Sequence, residues 1–356
     1  MEIRKESSLS PAVADLVDLC APAYSVYRLA HPCHSIPIGS ILVKLHKRRR
    51  KDDWNVSMPR RTIAILFHEN NRKRHLSSYA ITFLAEFWRK DGNRIHYLFG
   101  TRKFVPADLL LIHVDLSVVP DEYLEFASRY PIALNRGAKD IRKSLISANL
   151  VRPDDPYSGK VIVKTDLNYG GSPERNIRRN PRLWRRLLSH RFVRGDANGS
   201  RFKASFDYRI YDSLAEVPPV IFERNDVVVE KFLPEQEEDF FFVRHYEFLG
   251  DCATCTRLAA LEPIVKDQTV VRIEEIDPHP EIVQARERLN FDYGKFDYVV
   301  HNGRPVLLDA NKTTGADRVS SRELNARRRH RANGIYSYFA QGAACASLID
   351  WRVINR

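Results

Sequence analysis

Two apolar runs near the C-terminal end of the chain contain three polar side chains, Asp297, Asp309 and Asn311. The runs flank the dipeptide Asn302-Gly303, which is a strong signal for a β-hairpin. Asp297 and Asp309 are therefore expected on neighbouring antiparallel strands. Carboxylate and amide oxygens that converge in this way are ligands for hard cations such as Mg²⁺ or Mn²⁺, because the like charges would otherwise repel. The alternative is a pair of solvated aspartates on an exposed sheet face.

The length of the hairpin loop decides which way these side chains point. If the loop holds only two residues, Asp297 lies opposite Leu308, and the two aspartates point to opposite faces of the sheet. A loop with an odd number of residues places both aspartates on one face, where Asn311 joins them. The metal-site interpretation therefore requires an odd-length loop.

A lysine and a pair of glycines indicate an anion site elsewhere in the chain. Lys164 interrupts the apolar strand VIVKTD, so its ammonium group is expected to meet an anion at the end of the strand, with phosphate as one candidate. Gly170 and Gly171 follow, and a glycine turn can expose backbone N–H groups to the same anion. The alternative is a surface turn with a lysine that extends into solvent.

The elements that must position these residues follow two different patterns along the chain. Between residues 62 and 135, strands such as Ile63–Phe67 alternate with helical patterns, which predicts a small, mostly parallel sheet. From Val161 onwards, consecutive strand-like runs predict an antiparallel sheet, and a helix precedes the hairpin. We also expect KDIRKSLISANL to form an amphipathic helix and the tail from Ser321 to be helical. The predicted fold class is α+β.

The order of these pieces resembles the ATP-grasp superfamily, close to ligases that join a carboxylate to an amine, such as glutathione synthetase and the ligases that modify ribosomal proteins. The resemblance is carried by the strand lysine, the glycine turn, and an acid followed twelve positions later by a second acid and then by an Asn. It covers residues 131–315 well and residues 62–130 by layout. It implies an ATP-grasp fold, in which two α+β lobes surround the nucleotide, preceded by a small α/β domain.

The resemblance also implies roles for individual residues. ATP would be bound by Lys143, Lys164, Gly170, Gly171, Glu230, Lys231, Phe232 and Glu237. The backbone of Glu230, Lys231 and Phe232 would read the adenine edge, and Glu237 rather than Glu238 would contact the ribose. Mg²⁺ or Mn²⁺ would be bound by Asp297, Asp309 and Asn311. The catalytic residues, which steady a charged intermediate, would be Arg244, Arg257 and Lys266.

The chain departs from the family pattern at three places. The second metal acid is commonly Glu, whereas Asp309 is one methylene shorter. A Pro often precedes the Gly after the Asn, whereas this chain has Lys312-Thr313-Thr314 before its Gly. The arginine expected on the strand after the adenine hinge is absent at its usual spacing, which leaves Arg244 or Arg257 as substitutes.

The function implied by the resemblance is that of an ATP-dependent ligase. A substrate carboxylate would attack the γ-phosphate, and an amine would capture the acyl phosphate to give an amide and ADP. The expected partners are ATP and an acidic small molecule or peptide. A kinase that phosphorylates a hydroxyl group would share every motif, and only product analysis separates the two. A nucleic-acid-binding protein would bind without ATP and with a steep salt dependence, but it leaves the metal residues unexplained.

The net charge of +12 is concentrated in two segments. Residues 1–61 contain 11 Lys and Arg against 6 Asp and Glu, and residues 175–203 contain 10 against one. In the second segment we expect residues 176–192 to form a helical flap that draws an anionic substrate toward the nucleotide. No apolar run reaches the length of about 18 residues that spans a bilayer, so we expect a cytoplasmic protein without a membrane partner. The oligomeric state stays open.

The predicted organisation has four parts. They are a flexible basic N-terminal extension (1–61), a pre-ATP-grasp α/β domain (62–135), an ATP-grasp domain (136–320) and a C-terminal helical tail (321–356). The candidate metal residues all fall in the third part, which must therefore supply the chemistry.

Overall fold

Three β-sheets and the helices that cover them make up the part of the chain that the structure describes, and the α+β class is confirmed. The computed structural model describes residues 60–178, 208–316 and 321–340, apart from residue 72. These residues fall within the unit Pro59–Arg356. The basic N-terminal extension and most of the predicted flap lie outside the described residues.

The strands and helices follow one another in the predicted order. The strands are β1 (Thr62–Phe67), β2 (Arg94–Phe99), β3 (Leu109–Ile112), β4 (Ala133–Leu134), β5 (Val161–Thr165), β6 (Arg209–Tyr211), β7 (Val227–Lys231), β8 (Glu235–Glu237), β9 (Phe240–Leu249), β10 (Cys252–Ala260), β11 (Arg272–Ile276), β12 (Tyr293–His301) and β13 (Arg304–Asn311). The α-helices are α1 (Ile81–Lys90), α2 (Asp121–Ala127), α3 (Lys143–Ile146), α4 (Ser172–Arg178), α5 (Pro219–Phe222), α6 (Pro280–Arg288) and α7 (Arg322–Asn333). Short 3-10 helices cover Lys73–Ser78, Asn168–Gly171 and Leu214–Glu216. None of the described helices combines the length and the apolar character of a membrane-crossing segment.

A parallel sheet in the order β2-β1-β3-β4 begins the described chain, as the alternation of strands and helices predicts. Its central strand β1 is buried on both faces because its side chains alternate between two cores. Ile63 and Ile65 pack with Trp88 of α1, whereas Leu66 packs with Phe126 of α2. Each large apolar side chain buried in this way contributes about 1.5–3 kcal/mol, so α1 and α2 are held on opposite sides of the sheet.

The helix predicted for KDIRKSLISANL is wrong beyond a single turn. α3 covers only Lys143–Ile146, because the residues on either side of it are extended. Leu145 is exposed, so no apolar stripe holds a longer helix against the core. Asp166 at the end of β5 fixes the turn instead. Its carbonyl accepts the Lys143 N–H at 3.0 Å, and its carboxylate accepts the Ser144 N–H at 2.8 Å.

Two antiparallel sheets make up the rest, as the consecutive strand-like runs predict. The smaller sheet has the order β6-β5-β7, and Val161, Val163 and Val229 lie in its core. The larger sheet has the order β11-β10-β9-β12-β13, with β8 paired to β9. α6 covers one face of the larger sheet, where Ile282 and Ala285 pack among aromatic side chains. The candidate metal residues lie on the hairpin β12–β13 of this sheet.

The described part of the predicted helical tail contains α7, which packs against both α1 and the larger sheet. Residues 341–356 of the tail lie outside the described residues. The indole Nε1 of Trp88 donates to the carbonyl of Ala332 at 2.8 Å. In the turn after β9, Gly250 has a φ of 56°, and a Cβ at this position would lie 2.2 Å from the carbonyl oxygen of Gly334. Glycine is required at this contact because any side chain would push α7 away from the sheet.

Candidate functional site

The hairpin of β12 and β13 forms around the predicted Asn302-Gly303 loop, and the loop holds only these two residues. His301 pairs with Arg304, and Asn302 and Gly303 have φ angles of 50° and 76°. Positive φ at both positions matches the twist of the flanking strands. Of the two alternatives, the two-residue loop forms, which by itself would place the two aspartates on opposite faces.

A β-bulge creates the shared face that the loop alone does not. Tyr298 pairs with Leu307 but Asp297 pairs with Asp309, so Leu308 is an extra residue in β13. Beyond the bulge the two aspartates lie directly opposite each other and point to one face of the sheet. We call this face the carboxylate face; it carries His245, Lys295, Asp297, Asp309 and Asn311.

Two side chains contact Asp309 and Asn311: Lys143, which precedes β5 in the chain, and Asn168, which follows it. The buried Lys143 Nζ lies 3.3 Å from Asp309 Oδ1 and donates to Asn168 Oδ1 at 3.3 Å. Asn168 Nδ2 donates to Asn311 Oδ1 at 3.0 Å and to the carbonyl of Ala310 at 2.7 Å. Burial acts to lower the pKa of Lys143, but the Asp309 charge and weaker neighbours outweigh it and raise that pKa. Lys143 therefore carries a positive charge beside the carboxylate face.

The negative charge of Asp297 is balanced by side chains from its own strand and from β9. Lys295 Nζ lies 2.9 Å from Asp297 Oδ1, and His245 Nε2 lies 3.5 Å from the same oxygen. Burial opposes ionisation of Asp297, but the charges of Lys295 and His245 more than compensate and hold its pKa below the usual value. Burial and then the Lys295 charge lower the pKa of His245. Lys295 is therefore the main cation that faces Asp297 near neutral pH.

Lys164 and the predicted adenine hinge lie together in the smaller antiparallel sheet. Lys164 Nζ is 2.7 Å from Glu230 Oε2, and both side chains are buried. The backbone N–H groups of Lys231 and Phe232 donate to other backbone carbonyls, both at 2.8 Å. Both N–H groups already have acceptors, so they could donate to an adenine edge only if these backbone hydrogen bonds broke.

The predicted glycine turn directly follows β5 and connects to the carboxylate face through Asn168. Tyr169, Gly170 and Gly171 have φ angles of 48°, 62° and 68°, a left-handed run that favours glycine. Both glycines are buried. Because Asn168 begins this turn, the turn connects the strand that carries Lys164 to Asn311.

Arg244 and Arg257 do not reach the carboxylate face. They pair with each other across β9 and β10, and Arg244 lies opposite Tyr298, the neighbour of Asp297. Since neighbouring residues of a strand point to opposite faces, both arginines point to the side covered by α6. There they donate to the buried Glu235, with Nε–O distances of 2.9 and 2.8 Å. This second face, with these two arginines and Glu235, is called the arginine face, and it lies on the opposite side of the sheet from the candidate metal ligands.

Glu237 and Lys266 contact none of the candidate metal ligands among the described residues. The exposed Glu237 forms an ion pair with Arg257 and so belongs beside the arginine face. Lys266 lies in the turn between β10 and β11, where its backbone is hydrogen-bonded within the turn. The same turn carries Asp267, whose charge acts on Lys295. The turn of Lys266 is thus near the carboxylate face, but the described side chains give Lys266 no ion-pair partner there.

Three polar residues of the site carry no role in the sequence patterns: Asn168, His245 and Lys295. Lys295 is two positions before Asp297 on the same strand, so the two-residue period of a strand is a signal that could have found it. Asn168 and His245 have no such local signal, because their contacts depend on the glycine turn and on the pairing of β9 with β12.

The carboxylate face offers two facing carboxylates and one amide oxygen to a cation. Within the described ranges no group of three or more His, Cys, Asp and Glu side chains is arranged to hold a metal ion, so the fit depends on Asn311 as a third donor. Oxygen donors of this kind suit Mg²⁺ or Mn²⁺. Each carboxylate also contacts a lysine, so a cation alone must displace an ammonium group. When a cation binds together with an anion, displacing the ammonium groups costs less free energy, because the anion can bind the released lysines.

No protein-family model and no curated protein matches the chain. Among solved structures, the D-alanine–D-alanine ligase from Bacillus anthracis is similar, with 12% identity and a TM-score of 0.42 over 80% of this chain and 98% of that chain. A RimK domain ATP-grasp protein from Sphaerobacter thermophilus has 13% identity and a TM-score of 0.37 over 77% and 99% of the two chains. The ATP-grasp ligase PsnB, complexed with minimal precursor, Mg and ADP, has 13% identity and a TM-score of 0.39 over 74% and 91%.

Two of these three structures are named as ATP-grasp proteins, the superfamily that the sequence resembles.

Proposed function

We propose that this chain is an ATP-dependent carboxylate–amine ligase of the ATP-grasp type. The observation that supports this most is the charge pairing on the carboxylate face, where Lys143 contacts Asp309 and Lys295 contacts Asp297. Solvated aspartates on an exposed sheet face would have no need of a lysine on each. A nucleotide that arrives with a divalent cation fits this arrangement, because its phosphates and its cation can exchange partners with the lysines and carboxylates.

Lysine side chains from three segments are the proposed phosphate ligands. Lys143 and Lys295 would turn from the aspartates to the phosphates, and Lys164 is held in place by Glu230. Asn168 orients the Lys143 ammonium group from the start of the glycine turn, whose N–H groups would face the same phosphates. Asp297, Asp309 and Asn311 would hold Mg²⁺, which would supply positive charge to neutralise the charge that develops during transfer.

The proposed reaction has two steps. A substrate carboxylate oxygen attacks the γ-phosphorus, and the bond to the oxygen that bridges to the β-phosphate breaks, which gives an acyl phosphate and ADP. The amine nitrogen then attacks the acyl carbon and loses a proton, while phosphate leaves and the amide forms. We assign the stabilisation of the charged intermediate to Lys295, because it lies on the carboxylate face whereas Arg244 and Arg257 do not.

A kinase would use the same nucleotide contacts with a hydroxyl group as the acceptor. It differs from the ligase only in its product, a phosphorylated hydroxyl in place of an amide. The nucleic-acid-binding alternative rests on the basic segment 175–203, most of which lies outside the described residues. It predicts binding that needs no ATP and weakens steeply with salt.

The proposal is tested in two stages with the full chain. Calorimetry with ATP or ADP, in Mg²⁺ and in a chelator, should show magnesium-dependent binding. ADP release is then screened across amino acids, peptides and sugar acids in the presence of amines, and the products are identified by mass spectrometry. An amide formed with one ADP per bond is the expected result. Absence of magnesium-dependent binding at millimolar nucleotide would overturn the proposal, and a phosphorylated hydroxyl would replace the ligase by a kinase.

Three further expectations, on domain organisation, compartment and substrate type, are part of this proposal. The four-part division of the chain, with the ATP-grasp domain at 136–320, is kept as stated. The cytoplasm is the proposed compartment because the reaction needs ATP and Mg²⁺ together. The proposed acid substrate is a small molecule or a peptide.

A further inference from the structure

We use the word crevice for the region beyond the carboxyl ends of β1 and β3, where Asp115 contacts Thr313 just past the end of β13. In the order β2-β1-β3-β4, the strand that follows β1 lies on one side of it and β3 lies on the other, so the strand order reverses at this crevice. Open parallel sheets bind ligands at such reversal points. Asn71 follows β1, Asp115 follows β3, and Tyr79 lies just before α1. Thr313, two residues beyond Asn311, contacts the crevice from β13.

Asp115 is a half-buried carboxylate whose hydrogen-bond donors are all neutral. Thr313 Oγ1 donates to its Oδ1 at 2.7 Å, and the Tyr79 hydroxyl donates to its Oδ2 at 2.9 Å. Burial outweighs these two hydrogen bonds and raises the pKa of Asp115. Among the described residues no Lys, Arg or His forms an ion pair with it. A carboxylate removed from water in this way lacks the counter-charge that would stabilise it.

Two further oxygen atoms near Asp115 lack a donor. Glu174 of α4 is buried and accepts the Ser117 N–H with Oε1 at 2.8 Å, but its Oε2 is buried without a hydrogen-bond partner. Asn71 donates to the Tyr79 hydroxyl at 3.3 Å, and its Oδ1 is likewise buried without a partner. Buried polar atoms without partners are uncommon in folded proteins, so the crevice has a shortage of donors.

Lys312 does not relieve this shortage, although its charge acts on Asp115. Its Nζ donates to the carbonyls of Ala138, Lys139 and Ser117 at 3.1, 3.2 and 3.4 Å. An ammonium group has three N–H donors, and all three are directed at these carbonyls. The crevice therefore needs both positive charge and donors from a bound molecule.

We propose that Asp115 and Glu174 bind the ammonium group of the amine substrate. An ammonium group brings the charge and the N–H donors that the crevice lacks, in one small group. This assignment rests on the proposed ligase function and adds the position of the second substrate. Because Thr313 is two residues from Asn311, an amine held by Asp115 lies next to the carboxylate face, where the acyl phosphate would form. Asp115 would accept one proton from the ammonium group, which frees the nitrogen lone pair for attack on the acyl carbon, and a second proton leaves as the amide forms.

The test uses the full chain saturated with Mg²⁺ and a non-hydrolysable ATP analogue. Glycinamide, which carries an ammonium group and no carboxylate, is the probe, and neutral N-acetylglycinamide is its control; binding is measured by calorimetry. We expect glycinamide to bind and its acetylated form not to bind. Asp115→Asn should weaken glycinamide binding about 10-fold or more and leave nucleotide affinity within about twofold. Asp121→Asn, which removes the same charge from an exposed carboxylate paired with Lys139, should change neither.

Each outcome separates this assignment from the ligase proposal. If the parent protein does not bind Mg²⁺-nucleotide, the ligase proposal fails. If it binds nucleotide but not glycinamide, or binds the acetylated form equally well, the amine site at Asp115 is wrong and the nucleotide site stands. Unchanged glycinamide affinity in folded Asp115→Asn would also overturn the assignment. Should that variant not fold, Glu174→Gln and Thr313→Val are expected to weaken glycinamide binding about threefold or more, and no change in either would overturn it.

Discussion

The two faces of the sheet formed by β9, β12 and their neighbours are both dense in charge, yet they are built differently. On the arginine face, Glu235 accepts from both guanidinium groups and from the Val300 N–H at 2.7 Å. Arg257 extends the network to Glu237 and Glu274. On the carboxylate face, each aspartate contacts one lysine.

The difference separates a fixed ion-pair network from an exchangeable one. An arginine fork makes several directed hydrogen bonds to one carboxylate, so removing one partner leaves the others buried and unpaired. A lysine contributes a single point charge on a flexible stem, so it can change from one anion to another at little cost. We infer that the arginine face holds β8, β9 and β10 together, and that the carboxylate face is free to accept a ligand.

The largest expected effect comes from Asp309→Asn on the carboxylate face. Asn keeps the size and one oxygen for Lys143, so the chain should stay folded, but a charged metal ligand is lost. Turnover should fall about 1,000-fold or more, as when a charge-stabilising group is removed from a transition state. Steady-state kinetics and a melting curve measure the two effects, with Asp121→Asn as the exposed control. Normal turnover in the folded variant would show that the carboxylate face is not the reaction site.

Next in size is Glu235→Gln on the arginine face. Both arginines lose their shared counter-charge, so the free energy of unfolding should fall by about 3 kcal/mol, as expected when one partner of a buried ion pair is removed. Turnover per folded molecule should not change. Glu274→Gln is the matched control, because this partly exposed partner of Arg257 should cost less than about 1 kcal/mol. Denaturant titration measures both variants, and a stable but inactive Glu235→Gln variant would contradict the division between the faces.

A matched pair of substitutions compares the cations of the two faces directly. Lys295→Met removes the charge and keeps an unbranched stem, so the affinity for Mg²⁺-ADP should fall about 20-fold, equivalent to about 2 kcal/mol. Arg244→Met should leave that affinity within about twofold and lower the melting temperature instead. Calorimetry and melting curves on the same preparations give both quantities. The reverse pattern would exchange the roles of the two faces.

The smallest expected effect is the coupling between cation and nucleotide. Because each aspartate already contacts a lysine, Mg²⁺ alone should bind weakly, and ADP should bind about 10-fold more tightly in Mg²⁺ than in a chelator, a coupling of about 1.4 kcal/mol. Titrations of ADP in the two buffers measure this ratio. Asp309→Asn should abolish the difference. Equal ADP affinity in both buffers of the parent protein would argue against exchange of partners between lysines and aspartates.

The sequence predicts most of the elements but only part of the site. Strands buried on both faces, such as β1, and the Asn302-Gly303 hairpin are set by local patterns, and both form as predicted. The helix after residue 138 fails because Leu145 has no core to pack against, which only the tertiary structure decides. The facing aspartates depend on a bulge at Leu308, and a two-residue period cannot indicate where an extra residue will be placed.

Predictions that depend on strand pairing are the least secure. Arg244 is one position away from His245, and this single step decides whether a side chain reaches the arginine face or the carboxylate face. Family spacing does not fix that step when the expected arginine is absent. Lys295 was within reach of the same rule, since it shares a face with Asp297 through local alternation alone.

The bulge at Leu308 has a consequence for how this hairpin can change during evolution. If Leu308 were lost, Asp309 would take its place opposite Asp297 in an unbroken ladder, and the two carboxylates would still face each other. A residue gained elsewhere in β13 and absorbed into the regular ladder would instead turn Asp309 toward the arginine face. Descendants of this chain can therefore vary by one residue in the spacing between the two acids and keep the same geometry, provided that the change falls at this position.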